Sequence, residues 1–548
     1  MKYLKIGLII DNLNLEGLNS ELINIINKNN SLKINTLIIN DVGKKGLNFY
    51  LKKYSFLRLI EKTLFKIIFL FEKNFLYKFL KRYNFSKINI QDLESERLIV
   101  KPIVSKNGYF YNYKEEDLNK IKERELDVLI RLGGGILKGE ILNITKHGIV
   151  SFHHGDNDYN RGGPPGFWEV YFKIPKTGFI IQRLNENLDG GDILFKGNFQ
   201  TKLFYYQNRQ SIYKKSAKFI EKVLLNILNN NLVYHKKNLF FNKIFKDPNF
   251  FQIFKYIIST YSNILLKVFE KILFKKIIWE VAFSKNKFNE NSMQHFNVIK
   301  NDNKERFIAD PFLFKKDKNN YLFVEDYSFK KKKGVISCYE LKDQTSKFIG
   351  KVLEEKFHLS FPFIFEYEKK IYMCPETVEK NEIRLYQSIE FPNKWEFKMT
   401  LIKNIKAVDT LIFLKDETWW LITSTSNTND GDYSELKIYF SDEGPLSDKW
   451  VAHKSNPIYV DPEKGRNGGI LFEKKKIYRI NQKIGFNLYG KGFEINEILS
   501  INKDNFKENF ISNVQPNFFK NTIGTHHLNN NSEYTTFDFC KKKYFFNN

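Results

Sequence analysis

Apolar and polar positions alternate along the first part of the chain so as to predict strands and helices in turn. Unbroken apolar runs of strand length recur there, as is typical of parallel strands buried on both faces. Segments with the helical spacing of apolar residues separate several of them. The predicted strands are residues 3–10, 32–39, 97–104, 128–132, 148–152 and 178–184, and the predicted helices are residues 18–26 and 115–125. This order predicts an α/β domain with a Rossmann-like, mainly parallel sheet over residues 1–235, in which ligands bind beyond the carboxyl ends of the strands.

Beyond residue 285 the pattern changes to short aromatic strands separated by polar turns. A weak repeat with a period of about 50 to 60 residues is visible there. It begins near residues 309, 360, 408, 467 and 524. Each unit contains two strands and has room for two more, which predicts an all-β five-bladed propeller over residues 286–548. A β-sandwich is the alternative fold.

Two further segments, residues 56–83 and 250–283, are rich in Phe, Ile and Leu but are interrupted by Lys or Glu. Neither contains an uncharged run of about 18 apolar residues, the length needed to span a membrane. Both are predicted to be amphipathic helices, and the second belongs to a helical linker assigned to residues 236–285. Two roles remain open for them: packing in the core or between domains, and peripheral contact with an anionic membrane.

The composition narrows the choice of partner and compartment. The formal net charge of +26 would suit an acidic partner, but the lysines are dispersed along the chain. Because RNA-recognition and zinc-finger spacings are absent from the sequence, no specific nucleic-acid partner is predicted. Cys338, Cys374 and Cys540 lie far apart. They suggest no disulfide framework and no metal site, and they favour a reducing cytoplasm, where any membrane contact would be with the inner face.

Residues 131–197 contain the polar residues that are the best candidates for a catalytic or binding site. Three glycines, Gly133, Gly134 and Gly135, follow a predicted strand and allow the backbone to approach a flat ligand. Ser151 and His153 end the next strand and lie on the same side of it, because side chains alternate along an extended chain. Arg161-Gly162 and then Asp189 follow in turn-rich segments. Each of these signals is weak by itself, since glycine triplets and bends often do no more than turn the chain.

Together these segments resemble the catalytic domain of folate-dependent formyltransferases. The matching motifs, in the order of the family, are Ser151-Phe152-His153, Tyr159-Asn160-Arg161-Gly162, Thr177-Gly178 and Asp189-Gly190-Gly191. The resemblance implies that 10-formyltetrahydrofolate is the formyl donor and that an amine is the acceptor. It implies that His153, Asp189 and Ser151 are catalytic, with His153 beside the formyl group and Asp189 holding its imidazole. It also implies a folate site formed by Gly133, Gly134, Gly135, Ile136, Leu137, Arg161 and Gly162.

The chain departs from the family pattern at two places. Ser151 stands where the family has Asn, and a hydroxyl offers one hydrogen-bond donor where a carboxamide offers two. Three explanations are open: Ser151 acts through a water, His154 supplies the missing donor, or the domain has kept only the fold. The second departure is an acidic loop at residues 156–158, which is predicted to attract the ammonium form of the acceptor.

The second part of the chain resembles the five-bladed propellers of glycoside hydrolase families and the propeller-like part of glucosamine inositolphosphorylceramide transferases. The resemblance rests on motifs such as Ala309-Asp310-Pro311-Phe312 and Pro375-Glu376-Thr377. Four carboxylates, Asp310, Glu325, Glu376 and Asp409, recur near strand ends and are expected to converge on the propeller axis. Paired carboxylates hydrolyse glycosidic bonds, but they also bind sugar hydroxyls or cap turns.

The sequence thus predicts a formyltransferase that acts on an amino sugar, either linked to a nucleotide or within a glycan, in surface-polysaccharide synthesis. The second part looks unlike the small β-barrel of tRNA formyltransferases, and the compact purine-synthesis enzymes lack any such part. A glycan is expected at the propeller. Two alternatives remain: a carbohydrate-binding protein with a relic formyltransferase domain, and a propeller glycosidase.

Overall fold

The structure is a computed structural model of the whole chain. It describes residues 2–43, 46, 49, 51, 53–76, 85, 87–159, 161–187, 190–232, 243–272, 275–285, 288–301, 303, 305–428 and 430–544. The chain separates into two compact units, Met1–Tyr261 and Ser262–Asn548. The three-part division of the chain drawn from the sequence stays a prediction.

The first unit is built on a seven-stranded sheet. From one edge to the other its strands are β13 (Asp192–Gln200), β12 (Lys176–Arg183), β10 (Ile149–His153), β8 (Val128–Arg131), β1 (Leu4–Ile10), β3 (Leu32–Asn40) and β5 (Glu96–Val100). The five strands from β10 to β5 run parallel, whereas β12 and β13 are antiparallel to their neighbours. The predicted Rossmann-like, mainly parallel sheet is therefore confirmed.

Helices pack against this sheet, and short strands in the connecting segments form small separate sheets. The apolar side chains Leu22, Ile23 and Ile26 of the first helix are fully buried, as its helical spacing predicts. The helices are α1 (Leu18–Asn27), α2 (Phe56–Leu76), α3 (Glu115–Lys122), α4 (Phe167–Phe172), α5 (Tyr205–Ala217), α6 (Phe219–Leu228) and α7 (Phe250–Ile272). The short strands are β2 (Asn14–Leu15), β4 (Ile88–Asn89), β6 (Ile103–Val104), β7 (Phe110–Asn112), β9 (Ile136–Leu137), β11 (Arg161–Gly162) and β14 (Ile244–Phe245).

Two predicted elements have different bounds in the structure. The strand predicted at residues 97–104 is split at Pro102, which has no N–H for the ladder: β5 stays in the main sheet, and β6 joins β7 and β9. The helix predicted at residues 250–283 ends at Ile272, and Lys275–Ser284 forms the strand β15. Because β15 pairs with the last strand of the chain, this part of the helix prediction was wrong for a reason that lies far away in sequence.

The second unit consists of antiparallel sheets of four or five strands. One sheet combines β15 and β16 (Asn297–Val298) with three strands from the C-terminal end of the chain, and four other sheets follow one another in sequence. The C-terminal strands are β34 (Thr522–Gly524), β35 (Leu528–Asn530) and β36 (Thr535–Tyr544). The remaining sheets comprise β17 (Arg306–Lys316), β18 (Asn319–Ser328), β19 (Lys333–Lys342) and β20 (Thr345–Leu353); β21 (Ser360–Tyr367), β22 (Lys370–Glu376), β23 (Glu382–Glu390) and β24 (Lys394–Lys403); β25 (Ala407–Lys415), β26 (Thr418–Thr425), β27 (Glu435–Ser441), β28 (Val451–Ala452) and β29 (Tyr459–Val460); and β30 (Asn467–Glu473), β31 (Lys476–Gly485), β32 (Leu488–Ile501) and β33 (Phe506–Val514).

The first strands of four of these sheets, together with β35 of the fifth, contact one another in succession. β17 contacts β21, β21 contacts β25, β25 contacts β30, β30 contacts β35, and β35 contacts β17. The antiparallel sheets predicted from the aromatic repeat are present, and their assembly into a five-bladed propeller stays a prediction.

A β-bulge with a positive φ interrupts β17, β21, β25 and β30 at corresponding places, but in β30 the positive φ falls one position later. Asp310, Phe361 and Asp409 occupy equivalent places in it with φ of 50°, 47° and 53°, and Gly469 has φ of 118° in the fourth strand. A non-glycine residue in this left-handed region costs about 1–3 kcal/mol. Because Phe361 has no polar side chain, the bulge is a property of the fold, which Asp310 and Asp409 use to direct their carboxylates.

Candidate functional site

The carboxyl ends of β1, β8 and β10 meet at one edge of the main sheet, because these strands are parallel. Arg131, the last residue of β8, lies opposite Ile9 of β1 and opposite Ser151 of β10. The glycines at residues 133–135 follow β8 directly, and His153 ends β10. The structure therefore brings the glycine segment, Ser151 and His153 to the same edge, and their roles in catalysis stay a prediction.

A polar network that the sequence analysis missed fixes the glycine segment. Asp11 follows β1, and its Oδ2 accepts a hydrogen bond of 2.5 Å from the backbone N–H of Gly134. Its Oδ1 accepts one of 2.8 Å from Asn40 and lies 3.2 Å from the guanidinium of Arg131. Asn40 in turn accepts a hydrogen bond of 2.8 Å from the hydroxyl of Tyr113. The sequence signal that could have revealed this network is a polar residue, Asp11 or Asn40, at the end of an apolar strand.

The network leaves no space for a side chain at Gly133 but leaves space at Gly134. A Cβ on Gly133 would lie 2.4 Å from Oδ2 of Asp11 and 2.5 Å from a guanidinium nitrogen of Arg131, whereas a Cβ on Gly134 meets only Oδ2 of Asp11, at 3.7 Å. Gly133→Ala is expected to lower the free energy of unfolding by about 1–3 kcal/mol, since it displaces a hydrogen-bonded carboxylate. Gly134→Ala, the matched control, is expected to change it by less than about 1 kcal/mol. Urea denaturation followed by circular dichroism measures both, and equal losses would contradict this account.

His154 contacts helix α5. Its Nε2 lies 3.1 Å from Oγ of Ser216 on α5, and its ring is 4.6 Å from the ring of Tyr213. Burial lowers the pKa of His154 to about 3, so its imidazole is neutral. The explanation in which His154 supplies the donor that Ser151 lacks stays a prediction.

Arg161 and Gly162 form β11, which pairs with β14. A Cβ on Gly162 would lie 2.2 Å from the carbonyl oxygen of Phe245, and φ of Gly162 is 91°, so the close approach of the two backbones requires glycine. Ile136 and Leu137 form β9 beside β7, and Leu137 is buried. Strand pairing and packing therefore account for these residue types even without a bound folate.

The position of Asp189 lies outside the described residues, so its distance from His153 stays a prediction. The acidic loop before the Arg161 segment is described. Nζ of Lys196 lies 2.8 Å from Oδ1 of Asp156, and it also pairs with Asp158. Because one lysine bridges both carboxylates, the loop is less negative than the sequence indicated, and its predicted attraction for an ammonium group is weakened.

A second polar site, a cluster of buried charges, lies in the second unit. His526 bridges two carboxylates: its Nε2 is 3.1 Å from Oδ1 of Asp310, and its Nδ1 is 2.9 Å from Oδ1 of Asp538. Burial alone would lower the pKa of His526, but the two carboxylates outweigh it and raise the pKa to about 10. The pKa of Asp310 falls below its usual range, because the interaction with His526 outweighs the effect of burial. The three side chains thus form an ion cluster, and their ligand atoms all lie within 4.8 Å of one another.

Three other carboxylates lie within electrostatic reach of Asp310. Burial, followed by the charge of Asp409, raises the pKa of Glu376 to about 8. Burial, followed by the charges of Asp310 and Glu376, raises the pKa of Glu325 well above its usual range. Asp409 pairs with Arg466 at 2.7 Å. The four carboxylates predicted from the sequence thus interact with one another. The sequence analysis assigned no role to Arg466 or Asp538, and it noted His526 only as part of the fifth repeat unit.

Tyr489 lies beside the cluster and is partly exposed to solvent. This side chain is 41% exposed, and its ring centroid lies 4.8 Å from the guanidinium carbon of Arg466 and 5.1 Å from the ring of His526. Trp279 packs against the same histidine at 4.2 Å, and its ring lies 6.0 Å from the ring of Tyr489. An exposed aromatic ring above buried charges is an arrangement that can bind a sugar.

Comparison with known proteins finds relatives for both parts of the chain. The family model of the N-terminal region of glucosamine inositolphosphorylceramide transferase 1 matches residues 290–535, less than half of the chain. Glucosamine inositolphosphorylceramide transferase 1 of Oryza sativa subsp. japonica is 36% identical over 208 residues, 37% of this chain and 27% of that protein. The chain thus spans about a quarter of the length of this relative.

Formyltransferases form the second group of similar proteins. Methionyl-tRNA formyltransferase of Francisella philomiragia is 28% identical over 151 residues, 27% of this chain and 46% of that protein. Among solved structures, a sugar N-formyltransferase from a Shewanella species is 17% identical, with a TM-score of 0.27 over 44% of this chain and 75% of that one. The chain therefore has formyltransferase-like homology together with similarity to the glucosamine inositolphosphorylceramide transferase region.

Proposed function

We propose that this protein transfers a formyl group from 10-formyltetrahydrofolate to the amine of an amino sugar, linked to a nucleotide or within a glycan, in the cytoplasmic synthesis of surface polysaccharides. The main support is the placement of His153 and Ser151 beside the glycine segment, at the carboxyl edge of the sheet, in a chain with formyltransferase-like homology. The name of the rice relative refers to glucosamine, an amino sugar, which favours this class of acceptor over tRNA.

The glycine segment fits a flat ligand such as a folate. Gly134 and Gly135 are exposed, and Asp11 holds that backbone by its hydrogen bond to Gly134, while the Tyr111 ring packs against Gly135. When bound, the folate supplies an activated formyl group. His153 would stabilise negative charge on the formyl oxygen and move the proton that the attacking amine releases. Asp189 would hold the imidazole in its charged form, and Ser151 would donate one further hydrogen bond.

In this proposal the second unit is a five-bladed propeller that binds the glycan or nucleotide sugar. The succession of contacts among the first strands supports the architecture, and the exposed Tyr489 above the buried charges supports the binding role.

The test is incubation of the full chain with 10-formyltetrahydrofolate and a panel of nucleotide-linked amino sugars, with formylated products detected by mass spectrometry. We expect at least one sugar to gain a formyl group. Thermal unfolding with 5-formyltetrahydrofolate separates the alternatives: no product and no stabilisation would identify a relic domain in a carbohydrate-binding protein.

A propeller glycosidase is the second candidate, because the cluster contains both a carboxylate of low pKa, Asp310, and one whose pKa is about 8, Glu376. Glycoside hydrolysis requires one ionised and one protonated carboxyl group, and these two pKa values differ in that sense. If this candidate is right, chromogenic glycosides are cleaved, and Glu376→Gln slows cleavage by about 10²–10⁴-fold. Lack of cleavage across a panel of glycosides would leave sugar binding as the role of the cluster.

A further inference from the structure

Helix α2 is oriented with its apolar residues outward. Phe56, Ile60, Ile67, Phe71 and Phe75 form one stripe along the helix, and all five are exposed, Phe56 by 79%. The two acidic residues of the helix, Glu61 and Glu72, are buried instead. In a helix that only packs against a core the opposite arrangement is expected, since apolar side chains gain from burial and carboxylates lose.

The buried side of α2 is a well-satisfied interface. Glu61 accepts a hydrogen bond of 3.0 Å from the backbone N–H of Phe250 and pairs with Arg58 at 2.6 Å. Glu72 accepts hydrogen bonds from the backbone N–H of Tyr206, at 2.7 Å, and from the hydroxyl of Tyr256. Burial raises the pKa of Glu72 to about 7. Because both carboxylates have specific partners, the outward direction of the apolar stripe is built into the fold.

Helix α7 lies beside α2 and shows the same feature in its first three turns. Phe251, Phe254 and Ile258 form a stripe there and are exposed, Phe251 by 81%. The ring of Phe71 on α2 lies 6.2 Å from the ring of Tyr261 on α7, so the exposed side of α2 borders this helix. We call the two stripes together the outward face. A group of neighbouring, exposed apolar side chains like this one marks an interaction site on a protein surface.

Lysines flank the outward face, and Asp247, just before α7, pairs with Lys62 of α2. Lys66 and Lys73 on α2 and Lys255 on α7 are exposed, and none of them has an acidic partner within the described part of the chain. No acidic residue occurs in residues 250–261, and α2 buries both of its own. A second copy docking by the same face would bring lysine against lysine. An anionic surface with an apolar interior, which is a bilayer of acidic lipids, matches both the charge and the hydrophobicity.

We propose that the outward face of α2 and α7 docks the protein on an anionic lipid bilayer, with the two helices lying in the plane of the headgroups. None of the helices in the described part of the chain combines the length and the apolar character that a membrane-spanning helix needs. The phenylalanines enter the acyl boundary, and the lysines contact the lipid phosphates. The proposal is independent of the reaction that either unit catalyses.

The test is co-sedimentation of the full chain with vesicles of phosphatidylcholine mixed with phosphatidylglycerol, and with vesicles of phosphatidylcholine alone. We expect binding to the mixed vesicles that weakens with salt. The double variant Phe251→Ser with Phe254→Ser should lower the partition coefficient by about 10- to 100-fold. Lys66→Gln with Lys73→Gln should remove most of the preference for the acidic lipid, by about fivefold per lysine. Phe397→Ser on β24, an exposed phenylalanine outside the face, should have no effect.

Hydrogen exchange supplies a measurement on the unaltered protein. Mixed vesicles should slow the exchange of peptides from residues 56–76 and leave those of β24 unchanged. Three results would overturn the proposal: binding to mixed vesicles that the phenylalanine variant retains, absence of binding to them, or a wild-type dimer in sedimentation velocity that becomes a monomer in that variant. The last result would assign the outward face to a second copy of the chain.

Discussion

Replacing His153 by alanine is expected to lower the rate of formyl transfer by about 10²–10⁴-fold, the usual effect of removing a general acid–base group or an oxyanion donor. The proposed folate site should remain, because Asp11 and Arg131 hold the glycine segment independently of β10. The measurement is kcat/KM with the best amino sugar of the panel, together with the affinity for 5-formyltetrahydrofolate. We expect the rate to fall and the affinity to stay within about threefold, since in the proposed reaction His153 acts on the reacting atoms and not on the folate ring.

A matched control exists on the same stretch of chain. His147 lies just before β10, at the opposite end of the strand from the catalytic edge, and its backbone N–H bonds to the carbonyl of Asp127. His147→Ala should leave kcat/KM unchanged. If His153→Ala also keeps the rate within about tenfold of the unaltered protein, the assignment of His153 is wrong even if the protein formylates sugars.

Asp538→Ala is expected to lower the free energy of unfolding of the second unit by about 3–5 kcal/mol. Its Oδ1 accepts hydrogen bonds from the backbone N–H groups of His526 and His527 and from the His526 ring, and its Oδ2 accepts one from the N–H of Asp310. Without the carboxylate these buried donors lose their acceptor, and the His526 cation keeps only one counter-charge.

Tryptophan fluorescence in urea measures this effect selectively, because five of the six tryptophans, all except Trp168, lie in the second unit. Asp448→Ala removes an exposed carboxylate from the same unit and should change the stability by no more than about 0.5 kcal/mol. A loss below about 1 kcal/mol for Asp538→Ala would mean that the cluster is not a structural centre of the unit.

Most strands of the first unit could be predicted because each is an unbroken apolar run that ends at a polar residue or a glycine. The predicted strand at residues 3–10, for example, is β1 with a difference of one residue. The prediction failed where the partner of a segment is remote. Residues 275–283 continue the apolar pattern of α7, and only their pairing with residues 535–544 makes them a strand.

The sequence by itself determined the alternation of strands and helices, the antiparallel repeat, and the approach of Ser151 and His153 to the glycine segment, because these follow from local periodicity and from the parallel course of neighbouring strands. Only the tertiary structure decided which carboxylates are charged. The backbone N–H of Asp310 meets Asp538, which is 228 residues away, and no local pattern encodes that contact. The tertiary structure also decided which way α2 faces, since an amphipathic sequence fixes that a helix has an apolar side but not whether protein or solvent lies against it.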